Sequence, residues 1–313
     1  MNKRIYGLHS FSNTVFENEI DTLILSYQKD SRSLCTLKKL IEENIKVKNV
    51  ILIVSQVSVT SEEIRNEIEE SHEIENLKIV KSSQDQAAFV RQLHELNLLL
   101  DVEDLCLDIS SMNIIQMFLI LKYLKHLRNE KVIQIFYTIP FNYTFSGDPF
   151  TSYKSFFGDL ETTEILGYSG YSEKTREANL VVFLGFEGAL SLKIIEDIEY
   201  DELILVNGLP SFFPKYKDIT VINNYETISH PKKKMHYVPA SNPFEVYNFL
   251  DEVGSDLEGT CIAPLSTKPI ALGVCLYALD HPEDVRVVYP VSQEIQIEKT
   301  TDVYDTLTFK LLL

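Results

Sequence analysis

Five residues, Leu265-Ser266-Thr267-Lys268-Pro269, place two hydroxyls and an ammonium where the apolar run Cys261-Ile262-Ala263 gives way to a helical pattern. Ser266 and Thr267 at such a junction either cap the helix or donate to an anion; Lys268 adds positive charge, and Pro269 suits a first helical turn because its missing N–H costs nothing there. A parallel segment, Asp108-Ile109-Ser110-Ser111-Met112-Asn113, follows Leu105-Cys106-Leu107. Ser110 and Ser111 carry the same two readings, cap or ligand contact, and Asp108 reads as a capping carboxylate or a general base. Gly185-Phe186-Glu187-Gly188 follows a third apolar run, and its glycines either make a tight turn or let backbone approach a phosphate. Glu187 would orient a ribose or act as a base, and Asn207-Gly208 is a turn or a ligand contact. Ser26, Ser55, Ser82, Ser83 and Ser241 add hydroxyls at other strand ends. Ligands of open parallel sheets collect at the carboxyl ends of the strands, and a crevice lined this way suits a polar, phosphate-bearing molecule.

Other chemistries lack their residues. No G-x-G-x-x-G or P-loop lysine motif is present, so dinucleotide and NTP-hydrolysis chemistry is not supported, and no G-x-S-x-G elbow accompanies His9-Ser10. The seven histidines include no i, i+4 pair, and Cys35, Cys106, Cys261 and Cys275 show no C-x-x-C spacing, which predicts no metal, no cofactor and no disulfide. With 46 acidic against 29 basic residues the net charge is −17, which opposes duplex DNA or RNA as a partner. The run Lys232-Lys233-Lys234 reads as a solvated turn. The N-terminus lacks a long apolar stretch after Lys3-Arg4, and Ile114 to Leu124 is far short of the ~20 residues that span a bilayer, so a soluble cytoplasmic protein without membrane contact is expected.

The elements that must position these residues occur twice. Short Val/Ile/Leu-rich strands alternate with helical patterns from residue 22 and again from residue 180, the mark of an α/β layer whose mainly parallel sheet is covered by helices. Landmarks recur at a near-constant spacing: Ile51 to Ile204 is 153 residues, Ser83 to Ser241 158, Ser110 to Ser266 156 and Tyr137 to Tyr289 152. Two tandem Rossmann-like domains related by internal duplication are expected, over 1–140 and 179–313. Leu34, Leu37, Leu40 and Ile41 give the first helix one apolar face, over Ser31 to Ile41. Residues 141–178 have no counterpart and are aromatic enough to read as a packed linker. The alternation in 293–313 predicts extra strands on the second sheet, while Met1 to Asp21 fits either domain.

The stretch Ala263-Pro264-Leu265-Ser266-Thr267-Lys268-Pro269-Ile270-Ala271-Leu272-Gly273 resembles the nucleotide-contacting turn of CARF and SAVED sensor domains, although Leu265-Ser266 stand where that family has paired glycines. The resemblance implies a Rossmann-like sensor of cyclic oligonucleotides or related nucleotides, common in prokaryotic antiviral defence. It carries contact roles to Ser266, Thr267 and Lys268, and to Ser110 and Ser111; Met112 replaces the lysine in the first half. The sequence thus points to a regulatory nucleotide-type sensor whose two domains bind ligand between their strand ends, with output through a protein partner or self-assembly as a homodimer. Its rivals are a hydrolase or transferase acting on a phosphorylated or nucleoside substrate through Ser266, Lys268, Asp108 or Glu187, and a non-catalytic scaffold subunit. The second half, with Lys268, is expected to carry more of the ligand contact.

Overall fold

The computed structural model describes residues 7–14, 19–28, 30–54, 74–96, 102, 104–127, 132–144, 156–170, 179–254, 259–295 and 299–313. Ser55, the linker aromatics Phe145, Phe150 and Tyr153, and residues 1–6 lie outside them. The chain divides into two units, Met1–Thr144 with Lys299–Leu313, and Phe145–Glu298.

In the first unit the strands are β1 (Gly7–Ser10), β2 (Glu19–Tyr27), β3 (Lys46–Val54), β4 (Asn76–Lys81), β5 (Leu105–Asp108) and β6 (Val132–Thr144). Its helices are α1 (Cys35–Glu42), α2 (Gln86–Glu95) and α3 (Ile114–Leu127). The second unit holds β7 (Phe156–Ser169), β8 (Asn179–Phe183), β9 (Leu203–Gly208), β10 (Lys233–Val238), β11 (Thr260–Pro264) and β12 (Val285–Ile295), with α4 (Gly188–Asp197), α5 (Pro214–Asn223), the one-turn α6 (Tyr225–Ile228), α7 (Pro243–Gly254) and α8 (Lys268–Asp280). A last strand, β13 (Lys299–Leu312), closes the sequence.

Five parallel strands run β4-β3-β2-β5-β6 in one sheet and β10-β9-β8-β11-β12 in the other, so both follow the same doubly wound order. The register repeats as well. One row across the first sheet is Lys78, Ile51, Ile24, Leu107 and Ile135; its counterpart is Lys234, Ile204, Val181, Ile262 and Val287. The central members of both rows are buried, as strands covered on both faces must be, and the edge strands β4 and β10 each carry a lysine in the row, a charge that discourages pairing with a further chain. The expected α/β class with two Rossmann-like, mainly parallel sheets is therefore the observed one. The register also amends the repeat: Leu107 matches Ile262, so Ser111 is the counterpart of Ser266 and Ser110 that of Leu265, one residue off the spacing read from sequence.

Each helix covers its sheet with the face the spacing dictates. Leu37 and Leu40 of α1 join Leu23, Leu25, Val50 and Leu52, and Leu190 and Ile194 of α4 join Leu180, Val182, Leu203 and Leu205. In α8 every residue from Pro269 to Leu279 is buried, and Gly273 admits the α7 backbone: a Cβ there would lie 2.4 Å from the Pro243 carbonyl oxygen.

The sixth strand of each sheet departs from the expected division. β13 does not extend the second sheet; it pairs antiparallel with β6 from Lys299↔Thr144 to Leu312↔Val132, and β1 pairs with its other edge. Conversely β7, in the segment read as linker, pairs antiparallel with β12 of the second unit. Alternation marks a strand but not its partner, and the hydrogen-bonding edge of β6 accepts any strand of matching length. Deleting 299–313 should therefore expose the β6 edge in the first unit although the cut is at the far end of the chain. Hydrogen exchange of the truncated protein is expected to show lost amide protection in β1 and β6 with β8, β9 and β11 unchanged; loss confined to β12 would contradict the pairing.

Candidate functional site

In a doubly wound sheet the strand order reverses between the first and fourth strands, here β2 and β5 or β8 and β11. In the first unit a cleft of about 420 Å³ opens beyond β2, one of the two strands flanking the reversal, lined by Tyr27, Gln28, Asp30, Ser31, Ser33, Leu34 and Lys38. The apolar spacing predicts a helix from Ser31, but α1 begins at Cys35, because polar side chains claim the preceding backbone. Ser33 Oγ accepts from Gln28 N (3.0 Å) and donates to Gln28 O (2.7 Å), while the Asp30 carboxylate accepts from Arg32 N (2.9 Å). Such local bonds compete with helix and leave a turn over residues 31–34.

That turn is pinned by a buried ion pair. Arg32 Nε and Nη2 each lie 3.0 Å from one oxygen of Asp30, a two-point fork that suits guanidinium and carboxylate. Burial opposes ionisation of both, yet the pairing prevails: Asp30 is held below the ordinary aspartate range and Arg32 is pushed further up. Gln28 Nε2 donates to the Ser111 carbonyl (2.8 Å) and Ser33 Oγ lies 3.1 Å from Ser111 Oγ, tying the turn to the segment after β5.

Behind the cleft the segment after β5 is buried rather than presented. Asp108 Oδ1 accepts from Ser110 N (2.8 Å) and from Ser110 Oγ, which in turn accepts from Thr138 N (2.8 Å). Neither serine caps α3. That role falls to Asn113, whose Oδ1 accepts from Gln116 N at 2.7 Å while Gln116 Oε1 reaches back to Asn113 N, a capping box legible in the Asn-x-x-Gln spacing but missed. Asp108 caps nothing either. Its Oδ2 and Thr36 Oγ1 are both buried without a partner in hydrogen-bond geometry, and burial raises the Asp108 carboxyl despite the Ser110 hydrogen bonds and the Arg32 charge.

In the second unit the equivalent turns close on each other. A Cβ on Gly185 would lie 2.0 Å from the Leu265 carbonyl oxygen, so this glycine admits the β11–α8 turn, and its own carbonyl accepts from Asn224 Nδ2 (2.7 Å). Thr267 stands at the N-cap of α8, but its hydroxyl donates to the Ala240 carbonyl (2.6 Å) instead of capping. Ser266 and Lys268 are half-buried beside it, Glu187 is buried at the start of α4, and Asn207, at 1% exposure, has an unpartnered Nδ2. The structure thus brings Gly185 against Leu265 and Ser266. The cleft residues Gln28, Asp30, Ser31, Ser33 and Lys38 were missed as site residues; the signal was a polar cluster directly after an apolar strand.

No group of three or more His, Cys, Asp or Glu side chains is gathered for a metal among the described residues, and no described helix is long and apolar enough to cross a membrane. No family model and no curated protein matches the chain, so the CARF and SAVED resemblance gains no support from them. Two solved structures are similar at 10% identity, each over 86% of this chain and 92% of its own: PA1789, a functionally unknown protein of Pseudomonas aeruginosa PAO1, with a TM-score of 0.25, and a putative universal stress protein of Pseudomonas aeruginosa UCBPP-PA14, with 0.24. Superpositions that loose carry no argument about function.

Two substitutions separate packing from chemistry. Gly185→Ala is expected to cost about 3 kcal/mol in urea denaturation, because backbone on both sides must give way. A small cost would mean the turns are free to part. Asp108→Asn keeps an acceptor for Ser110 and removes a carboxyl whose pKa is raised on folding. That carboxyl's contribution to stability is complete below the ordinary aspartate range and is lost as pH rises through the raised value. The variant should therefore exceed wild type at pH 7 by on the order of 1 kcal/mol and converge with it near pH 4; a constant offset would show that Asp108 does not titrate there.

Proposed function

We propose that this protein is a binding and regulatory module for a small nucleotide-type ligand, seated in the first unit's cleft. The carrying observation is position: a polar cleft of about 420 Å³ lies beyond the carboxyl end of β2, one of the two strands that flank the reversal of strand order, and falls within the common size range of small-molecule sites. Chemistry supports the same reading. The opening turn of α1 and the exposed Lys38 favour an anion, and the nearby Asp30 is already matched by Arg32, so its charge does not oppose one. The Tyr27 ring supplies an apolar surface. Ser266, Thr267, Lys268, Ser110, Ser111, Gly185, Glu187 and Asn207 are the candidates drawn from sequence; Ser110 and Ser111 would support the cleft from behind, and the others would serve a contact in the second unit. A protein partner would carry the output of such a sensor. The likeness of 263–273 to the CARF turn makes cyclic oligonucleotides the first ligands to test, and antiviral signalling the setting to examine.

Calorimetry with AMP, ATP, cyclic di-AMP and cyclic triadenylate tests the proposal. At least one is expected to bind and to be recovered unchanged after incubation, with Lys38→Ala weakening it about tenfold, the loss of ~1.4 kcal/mol. Absence of heat with every probe defeats the binding reading, and conversion of the probe would instead favour the hydrolase or transferase.

A further inference from the structure

Besides its tie to Ser111, the cleft turn is tied to Thr300, which belongs to β13 and lies 270 residues beyond Asp30. Thr300 is buried, and its Oγ1 lies 2.7 Å from Asp30 Oδ1, the oxygen that also takes Arg32 N and Nε. An ionised carboxylate only accepts, so Thr300 must be the donor, and that spends its single proton. Ser31 Oγ lies 3.1 Å from Thr300 Oγ1 and 3.2 Å from Thr300 O. With no proton left on Thr300 Oγ1, and none on the carbonyl, Ser31 must be the donor to one or both. The direction of the whole chain, Ser31 to Thr300 to Asp30, is therefore set by the buried charge at its end.

The consequence falls on the exposed member. Ser31 lines the cleft with its proton turned inward, so it faces a ligand with lone pairs only. Ser33 is spent similarly, since its proton goes to Gln28 O or Ser111 Oγ while it accepts from Gln28 N. An oxygen so committed repels a phosphate oxygen and accepts from an O–H or N–H group.

We infer that the Ser31 wall of the cleft reads a hydrogen-bond donor, the hydroxyl of a ribose, and that Thr300 is the positioning residue that enforces this polarity. This inference rests on the binding reading above and adds to it the orientation of the ligand, with the sugar toward Ser31 and the phosphate toward Lys38. It also makes the cleft's selectivity depend on the strand that completes the sheet from the other end of the chain.

The test uses the full chain and calorimetry with AMP against 2′,3′-dideoxy-AMP, and with cyclic triadenylate against its 2′-deoxy counterpart. Wild type is expected to bind a ribose form about tenfold more tightly than its deoxy form, the value of one hydrogen bond. Thr300→Val removes Oγ1, the acceptor 3.1 Å from Ser31 Oγ, and leaves only the Thr300 carbonyl at 3.2 Å to hold the Ser31 proton, so discrimination is expected to fall to about threefold, and Ser31→Ala, which removes the accepting oxygen itself, is expected to abolish it. Thr300→Ser restores the hydroxyl and should restore discrimination, a rescue that a purely steric role would not require. Equal wild-type affinity for ribose and deoxy forms overturns the inference while leaving the binding reading intact. Discrimination undiminished in a folded Thr300→Val protein overturns the role of Thr300. If none of these probes binds wild type while another ligand does, the ribose assignment is wrong; if nothing binds, the binding reading itself has failed.

Discussion

The antiparallel ladder between β6 and β13 is the contact on which the first unit depends. β6 is the fifth strand of a parallel sheet, and without β13 its outer edge would present a row of unpaired N–H and C=O groups. The same ladder delivers Thr300 to Asp30 and brings Thr306 within 3.0 Å of Thr138 and 2.8 Å of the Lys39 ammonium. Sheet completion and cleft construction are thus one event. Since β7 completes the second sheet in turn, each sheet is finished by a strand that follows the other sheet's fifth strand in sequence.

The two units share a scaffold and differ in what they bury at the ends of their strands. The first places Asp108, Ser110 and Ser111 where the register of the second places Ala263, Leu265 and Ser266. A buried ionisable group is costly unless its partners are supplied, and here Ser110, Thr138 and the Asp30–Arg32 turn form a polar floor beneath an open cleft. In the second unit Gly185 lets the corresponding turns meet, and the hydroxyl of Thr267 is drawn to the backbone of the neighbouring turn. The expectation that the second half carries more of the ligand contact rested on one half-buried lysine, Lys268, whereas the first half's polar construction is spread over Asp30, Ser31, Arg32, Ser33 and Thr300, which no short motif unites.

Much of the scaffold was legible in the residues themselves. A strand buried on both faces needs an unbroken run such as Leu23-Ile24-Leu25 or Val181-Val182-Phe183, and a helix covering it needs apolar residues three and four apart, as at Leu34, Leu37 and Leu40. Those periodicities are local, so the sequence alone determined the α/β class, the doubling of the pattern and the strand ends at which polar residues collect. The tertiary structure decided what depends on partners distant in the chain. Pleat alternation in 299–312 demands a neighbour but is indifferent to which one, so only the assembled fold placed that strand beside β6. Asp30 and Arg32 carry no sequence signal of their pairing, which burial alone fixes, and Ser31 acquires a polarity only because Thr300 lies behind it, a direction set by a carboxylate that cannot donate.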